Sequence, residues 1–260
     1  MLSYQHSYHA GNLADVHKHA LLAVMLDYLT RKDKPLSYLE THAGRGLYNI
    51  NDEAALKTGE AAAGIARVLD ENWFAADHPY LRAVSAISAK YGATAYPGSP
   101  LVAAELLRPG DTMHLAELHP QEHAALRGLV ALKYAQIYHQ DGFQMAQSIC
   151  PPTPRRGMLL IDPSFEVKSD YLTIPEFVRQ IHRKWNVGVI ALWYPILADN
   201  RHVPMLVALK HAGFKDVLRH EVKFTALRAG HGMIGSGMFI VNPPYGLADA
   251  AAAVGAVFDR

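Results

Sequence analysis

A short apolar run that ends in an acid and a proline is the feature that most constrains the fold of this chain. Residues 158–161 are Met-Leu-Leu-Ile, with Gly157 before them and Asp162-Pro163 after them. Such a run is typical of a strand buried on both faces of a parallel sheet. Proline cannot continue a hydrogen-bonded ladder, so Asp162 lies where the strand ends. Because ligands bind beyond the carboxyl ends of strands in open α/β sheets, the pattern favours a cleft at Asp162.

The rest of the chain alternates predicted strands with predicted helices. Strands are predicted at 36–40, 112–118, 135–139, 157–161 and 186–193, and a closing antiparallel pair at 216–224 and 237–241. Helices are predicted at 16–30, 101–107, 124–132 and 204–212, with Asp15 and Ser99 as caps of the first two. This order predicts an α/β fold with a doubly wound sheet.

The gap between the first two predicted strands is too long for one crossover helix. Residues 59–72 and 79–91 have helical, alanine-rich patterns, which predict a small inserted subdomain. We therefore expect a main domain of residues 1–46 and 96–260, with an N-terminal tail of residues 1–13. The inserted helical subdomain is expected to span residues 47–95.

Composition excludes several classes of protein. The single cysteine, Cys150, rules out an internal disulfide and a cysteine-rich zinc site, and the paired histidines lack the support that a metal site needs. The net charge of +1 predicts that a nucleic-acid partner would bind to a local patch. No apolar run approaches the roughly 20 residues of a membrane span. We expect a cytoplasmic monomer without a metal.

Acidic residues follow four of the predicted strands in turn, namely Glu40, Glu117, Asp141 and Asp162. Any one of them alone is more often a solvated turn or cap residue, but four in register favour a nucleoside-bearing cofactor. The turn at residues 41–46 does not run into a helix as a dinucleotide-binding fingerprint would. NAD is therefore disfavoured, and S-adenosylmethionine fits better.

The segment Asp162-Pro163-Ser164-Phe165 carries the predicted chemistry. The exocyclic amine of adenine is a poor nucleophile because its lone pair is delocalised into the ring. The Asp162 carboxylate and the Pro163 carbonyl can accept hydrogen bonds from its two hydrogens, and Asp162 can take the proton. Phe165 would stack on a base swung out of its strand. We therefore predict Asp162, Pro163 and Phe165 as the catalytic residues.

The chain resembles the RlmJ family of 23S ribosomal RNA adenine-N6 methyltransferases over nearly its whole length. The motifs that carry the resemblance include Ala14-Asp15-Val16, Thr41-His42-Ala43-Gly44, Tyr96-Pro97-Gly98-Ser99-Pro100, Glu117-Leu118-His119-Pro120, Asp141-Gly142-Phe143 and Leu192-Trp193-Tyr194-Pro195. The resemblance implies a class I S-adenosylmethionine-dependent methyltransferase, a Rossmann-like fold with a helical insertion. It also implies 23S ribosomal RNA as the partner.

The same resemblance assigns site residues. The residues implied to contact S-adenosylmethionine are His19, His42, Ser99, Glu117, Asp141, Gly142 and Asp162. Tyr4 is implied to contact RNA, with Lys18 nearby. The chain departs from the family at its central motif, where the family carries Asp-Pro-Pro-Tyr. Because Ser164 lacks the φ restriction of proline, we predict retained but slower activity.

A second candidate motif occurs at Asn242-Pro243-Pro244-Tyr245, which matches the amino-methyltransferase pattern better than residues 162–165 do. It follows the last predicted strand, away from the predicted cofactor cleft, so we interpret it as a strand terminus.

Two other functions stay open from the sequence. Ser164 and Phe165 motivate a catalytically weak nucleic-acid-binding protein of the same fold. A DNA methyltransferase linked to the use of external DNA is the other, since a fold does not fix a substrate.

Overall fold

A mostly parallel seven-stranded sheet forms the centre of the computed structural model, which describes residues 6–224 and 232–259. Its strands, with a separate two-stranded pair, are β1 (Ser37–Glu40), β2 (Leu47–Asn49), β3 (Ala95–Pro97), β4 (Thr112–Ala116), β5 (Gln136–Tyr138), β6 (Gly157–Ile161), β7 (Val189–Leu197), β8 (Val217–Lys223) and β9 (Met233–Val241). The order across the large sheet is β5-β4-β1-β6-β7-β9-β8, in which β9 alone runs antiparallel to the other strands. This α/β sheet confirms the predicted fold class.

Helices cover both faces of the sheet. They are α1 (Leu13–Thr30), α2 (Glu53–Thr58), α3 (Arg67–Asp70), α4 (Pro79–Tyr91), α5 (Ser99–Leu106), α6 (Pro120–Arg127), α7 (Gly142–Ile149), α8 (Asp170–Lys184), α9 (Val203–Lys210) and α10 (Leu247–Ala256). The side chains of β6 alternate between two cores. Met158 and Leu160 pack in the layer of α1, α5 and α10, while Leu159 and Ile161 pack in the layer of α8 and α9. All five residues of β6 are buried, as the apolar run predicts.

The segment between β1 and α5 contains α2, α3 and α4. Its two ends are held together because β2 pairs antiparallel with β3, Leu47 lying opposite Pro97. The segment also closes on the start of α1, where a Cβ on Gly64 would lie 2.0 Å from the Gly11 carbonyl oxygen. The proposed boundaries of the subdomain, residues 47 and 95, stay a prediction.

Three predicted helix starts are wrong. The first helix begins at Leu13, and Asn12 caps it by accepting a hydrogen bond from the Asp15 amide at 2.8 Å. Asp15 is instead buried. Gly98, not Ser99, is the cap of α5, because the Ser99 hydroxyl donates to a buried carboxylate. The helix predicted at 124–132 begins at Pro120 and ends at Arg127.

The predicted end of β7 at Trp193 is also wrong, because the strand continues through Pro195 to Leu197. Beyond Leu192, β7 has lost its β6 partner and pairs only with β9. A proline is tolerated there because one side of the strand makes no ladder hydrogen bonds.

Candidate active site

The four predicted acids lie along one edge of the sheet. The parallel strands β5, β4, β1 and β6 are neighbours in that order, so Asp141, Glu117, Glu40 and Asp162 follow one another across their carboxyl ends. The order reverses at β1, which has β4 on one side and β6 on the other. Such a reversal opens a crevice above the strands.

Asp162 is held by a lysine from the first helix. The Lys18 Nζ donates to Asp162 Oδ2 at 2.6 Å and lies 2.9 Å from Asp15 Oδ1. Lys18 is 4% exposed, and it also lies 5.5 Å from the centre of the Trp193 indole. Burial lowers the pKa of Lys18, but the two carboxylates outweigh burial and raise it above its usual range. The lysine therefore stays charged.

Asp15 anchors this lysine to the start of the chain. Its Oδ2 accepts hydrogen bonds from the Gly11 amide at 3.0 Å and from His6 Nε2 at 2.8 Å. Burial raises the pKa of Asp15, but the charges of His6 and Lys18 lower it well below its usual range. The Asp15–Lys18–Asp162 chain is a buried ion triad. Tyr4, the other residue predicted to contact RNA, lies outside the described residues.

Glu40 is a buried acid at the end of β1. Its carboxyl group accepts hydrogen bonds from the Tyr38 hydroxyl at 2.8 Å and from the Ser99 hydroxyl. Burial, with a smaller contribution from Asp162, raises the pKa of Glu40 to about 8. Glu40 is therefore mostly protonated at neutral pH, and it fixes the orientation of Ser99.

Main-chain amides hold the next acid in place. Glu117 accepts hydrogen bonds from the Gly44 amide at 2.8 Å and the His119 amide at 2.7 Å, one on each oxygen. Gly44 adopts a φ of +60°, which favours glycine, so the turn after β1 can approach Glu117. Burial raises the pKa of Glu117.

The last acid caps a helix that packs closely on β1. Asp141 accepts a hydrogen bond from the Gln144 amide at 2.9 Å and so caps α7. The next residue, Gly142, has no room for a side chain, since a Cβ there would lie 1.8 Å from the Thr41 carbonyl oxygen. Glycine at this position brings the first turn of α7 against the turn after β1.

Both predicted histidines are neutral, His42 in the turn after β1 and His19 buried in α1. The His19 ring bonds to the Tyr96 hydroxyl at 2.9 Å, and burial lowers the pKa of His19 to about 3. The His42 ring bonds to the Thr41 hydroxyl at 2.7 Å, and burial lowers the pKa of His42 to about 4. His42 also meets the Phe143 ring edge to face at 5.2 Å.

Phe165 belongs to the loop that follows Asp162. It has a φ of +55°, unusual for a bulky residue, and its ring is buried. Its ring centroid is 4.8 Å from that of Tyr171 and 6.1 Å from that of Trp193. Pro163 is buried beside Asp162, and Ser164 is partly exposed. Two aromatic rings therefore support Phe165.

Sequence reasoning missed three parts of this site: the triad through Asp15, the pairing of Glu40 with Ser99, and the support of Phe165 by Tyr171. Asp15 and Lys18 are three residues apart in α1, and this spacing brings two side chains together on one face of a helix. That spacing is the one local signal for the triad.

In the described part of the chain no three potential metal ligands are grouped, and no helix there combines the length and apolarity of a membrane span.

The motif at Asn242 lies away from the crevice, as predicted, beside the start of β7. Val241 pairs with Ile190 near the start of β7, whereas Ile161 pairs with Leu192. The Asn242 side chain donates to the carbonyls of Asn186 and Gly188 at 3.1 and 2.8 Å. It closes a turn and is remote from the crevice.

Comparison with known proteins identifies relatives over most of the chain. A family model described as "RsmJ: Ribosomal RNA large subunit methyltransferase D, RlmJ" matches residues 33–259. Two proteins called "Ribosomal RNA large subunit methyltransferase J" are similar: that of Escherichia coli (strain K12) is 39% identical over 249 residues, and that of Haemophilus influenzae 37% over 252. Each alignment covers 95% of this chain and 89% of the relative.

The fold is also similar to that of a solved structure over most of both chains. The crystal structure of protein LPL1258 from Legionella pneumophila str. Philadelphia 1 superposes with a TM-score of 0.87 at 37% identity. The match covers 95% of this chain and 92% of that one.

Proposed function

This chain belongs to the RlmJ family of ribosomal RNA large subunit methyltransferases, and on that premise we propose that it transfers a methyl group from S-adenosylmethionine to the N6 amine of an adenosine in 23S ribosomal RNA. The observation that carries the proposal is the carboxylate of Asp162, fixed by Lys18 at the carboxyl end of β6. Members of this fold bind their ligands at that edge.

The residues along the crevice fit a nucleoside cofactor. Each Glu117 oxygen accepts one main-chain amide, which leaves a lone pair on each for ribose hydroxyls. Asp141 and the Gly142 amide lie at the start of α7, and neutral His42 lies beside them. We assign His19, His42, Ser99, Glu117, Asp141, Gly142 and Asp162 to this site. S-adenosylmethionine, when bound there, supplies an electrophilic methyl group.

Asp162 and Pro163 act on the target amine. Oδ2 of Asp162 is occupied by Lys18, while Oδ1 has no hydrogen-bond donor among the described residues. Oδ1 and the Pro163 carbonyl accept the two amine hydrogens, which orients the nitrogen lone pair for in-line attack. Asp162 then takes the proton that the amine loses. Phe165 forms the wall against which the base stacks.

Lys18 acts on RNA through Asp162. Because its ammonium is buried between two carboxylates, it orients the catalytic carboxylate and is not positioned to bind a phosphate. The predicted contact of Tyr4 with RNA stays a prediction. A monomer that acts on ribosomal RNA in the cytoplasm is the simplest form of the proposal.

The test is transfer of tritiated methyl groups from S-adenosylmethionine to RNA from cells that lack this gene, with DNA from the same cells as the control. We expect label in N6-methyladenosine of 23S RNA, and loss of at least 100-fold in kcat for Asp162→Asn. Label in DNA alone would support the external-DNA alternative. Binding of RNA without label would support the weak binding protein instead.

A further inference from the structure

One hydroxyl beside the proposed base site has no hydrogen-bond partner among the described residues. The Tyr171 side chain lies at the start of α8 and is 6% exposed, yet its hydroxyl oxygen makes no hydrogen bond to any described residue. Buried polar groups in proteins are nearly always satisfied, and leaving one unpaired destabilises the fold. An orphan hydroxyl beside a proposed active site is therefore available to a partner that arrives with the substrate.

The position of the Tyr171 ring agrees with a role beside the base site. Tyr171 packs on Phe165 with a centroid distance of 4.8 Å and an interplanar angle of 34°, so it supports the wall of the base site. The charges of Arg201, Asp199 and Asp170 act on its phenol group. Arg201 and Asp199 belong to the turn that follows β7, the strand next to β6. The Tyr171 ring therefore packs against Phe165 within the apolar layer of α8 and α9.

We propose that the Tyr171 hydroxyl donates a hydrogen bond to an acceptor on the target nucleotide, so that Tyr171 is a substrate-binding residue. This inference rests on the proposed function, because it needs an RNA nucleotide at Asp162. Burial raises the pKa of Tyr171 to about 12, so the phenol keeps its proton near neutral pH. A phenol that stays neutral can donate to a ring nitrogen or to a phosphate oxygen.

The test is Tyr171→Phe, which removes the hydroxyl and leaves the ring that supports Phe165. We expect the KM for RNA to rise about 2- to 12-fold, as for the loss of one neutral hydrogen bond, with the KM for S-adenosylmethionine unchanged. The Tm of the RNA-free protein should rise by about 2–4 °C, because an unsatisfied buried group is removed. A gain in stability with a loss of RNA affinity distinguishes a binding hydroxyl from a packing one.

Tyr91→Phe is a matched control. The Tyr91 hydroxyl is also buried without a partner among the described residues, but it lies in α4, away from the crevice. We expect Tyr91→Phe to gain stability and to keep the wild-type KM for RNA.

Four results would overturn the inference. These are an unchanged KM for RNA in Tyr171→Phe, a change confined to the KM for S-adenosylmethionine, an equal change in Tyr91→Phe, and a loss of stability in Tyr171→Phe. A wild-type protein that methylates no RNA would refute the proposed function itself, a separate outcome.

Discussion

Lys18 is the residue on which the geometry of the site depends most. It is the cation between Asp15 and Asp162, and all three side chains are mostly buried. A buried ion pair adds little net stability compared with apolar packing, but removal of one partner leaves an uncompensated charge. The triad therefore fixes the position of Asp162 more than it stabilises the fold.

Lys18→Met should lower the free energy of unfolding by about 3–5 kcal/mol, because it removes the cation that the Asp15 and Asp162 carboxylates share. Chemical denaturation followed by circular dichroism measures this change. Lys57→Met is the control, since the pair of Lys57 with Glu53 is exposed and should cost less than about 1 kcal/mol. Adding Asp15→Asn to Lys18→Met should recover part of the loss, and additive effects would show that the triad is not coupled.

Ser164→Pro should restore one of the two residues at which the active-site loop departs from the family pattern. Proline restricts the loop before the substrate binds, which is worth about 0.4–1 kcal/mol. If that energy is expressed in the transition state, kcat rises about two- to fivefold. Ser164→Ala is the control, because it removes the Ser164 hydroxyl without adding a proline ring. That hydroxyl accepts a 3.4 Å hydrogen bond from the Glu166 amide. A Ser164→Pro enzyme slower than wild type would show that serine does not impair the loop.

At the scale of elements, the sequence predicted what depends on local pattern. The buried run at 158–161, with the Asp-Pro that follows it, predicts β6 to within one residue of its observed bounds. The ends of four strands predict four acids at one cleft, but their spatial order depends on the reversal of the sheet at β1, which the sequence does not predict. Helices α7, α8 and α10 were not predicted, and the start of β9 was placed at Gly237 rather than Met233. Pro175 within α8 and the small residues of α10 weaken the patterns that identify helices.

The close approach of α7 to β1 gives a test of one element. Gly142→Ala would place a Cβ 1.8 Å from the Thr41 carbonyl oxygen, so the start of α7 must move away. We expect a loss of about 3 kcal/mol or more in the free energy of unfolding and a higher Kd for S-adenosylmethionine, measured by calorimetry. Gly128→Ala is the control, because its Cβ would meet its nearest neighbour at 3.3 Å and its φ is −73°. Equal effects of the two substitutions would contradict a tight contact at Gly142.

For the whole molecule, buried titratable groups set how stability depends on pH. His19 and His42 have folded pKa values of about 3 and about 4, below their ordinary value of 6.5. The unfolded chain therefore binds more protons than the folded one as pH falls below 6.5, and stability decreases there. Glu40 acts in the opposite sense. Its folded pKa is about 8, so the folded chain retains a proton that the unfolded chain has lost.

Glu40 should therefore lower stability as pH rises from 6.5 toward 8, while His19 and His42 lower it as pH falls below 6.5. Between its ordinary pKa of 4.5 and its folded value of about 8, Glu40 contributes a slope of about −1.4 kcal/mol per pH unit. Glu40→Gln replaces the protonated acid by an amide of the same shape that still bonds to Tyr38 and Ser99, so it should remove this slope while keeping the fold. Urea denaturation at pH 6.5, 7.25 and 8 measures the slope, and Glu53→Gln, at an exposed carboxylate, should leave it unchanged. A Glu40→Gln protein with the wild-type slope would show that Glu40 is ionised in the folded state, and that Ser99 is oriented by an anion.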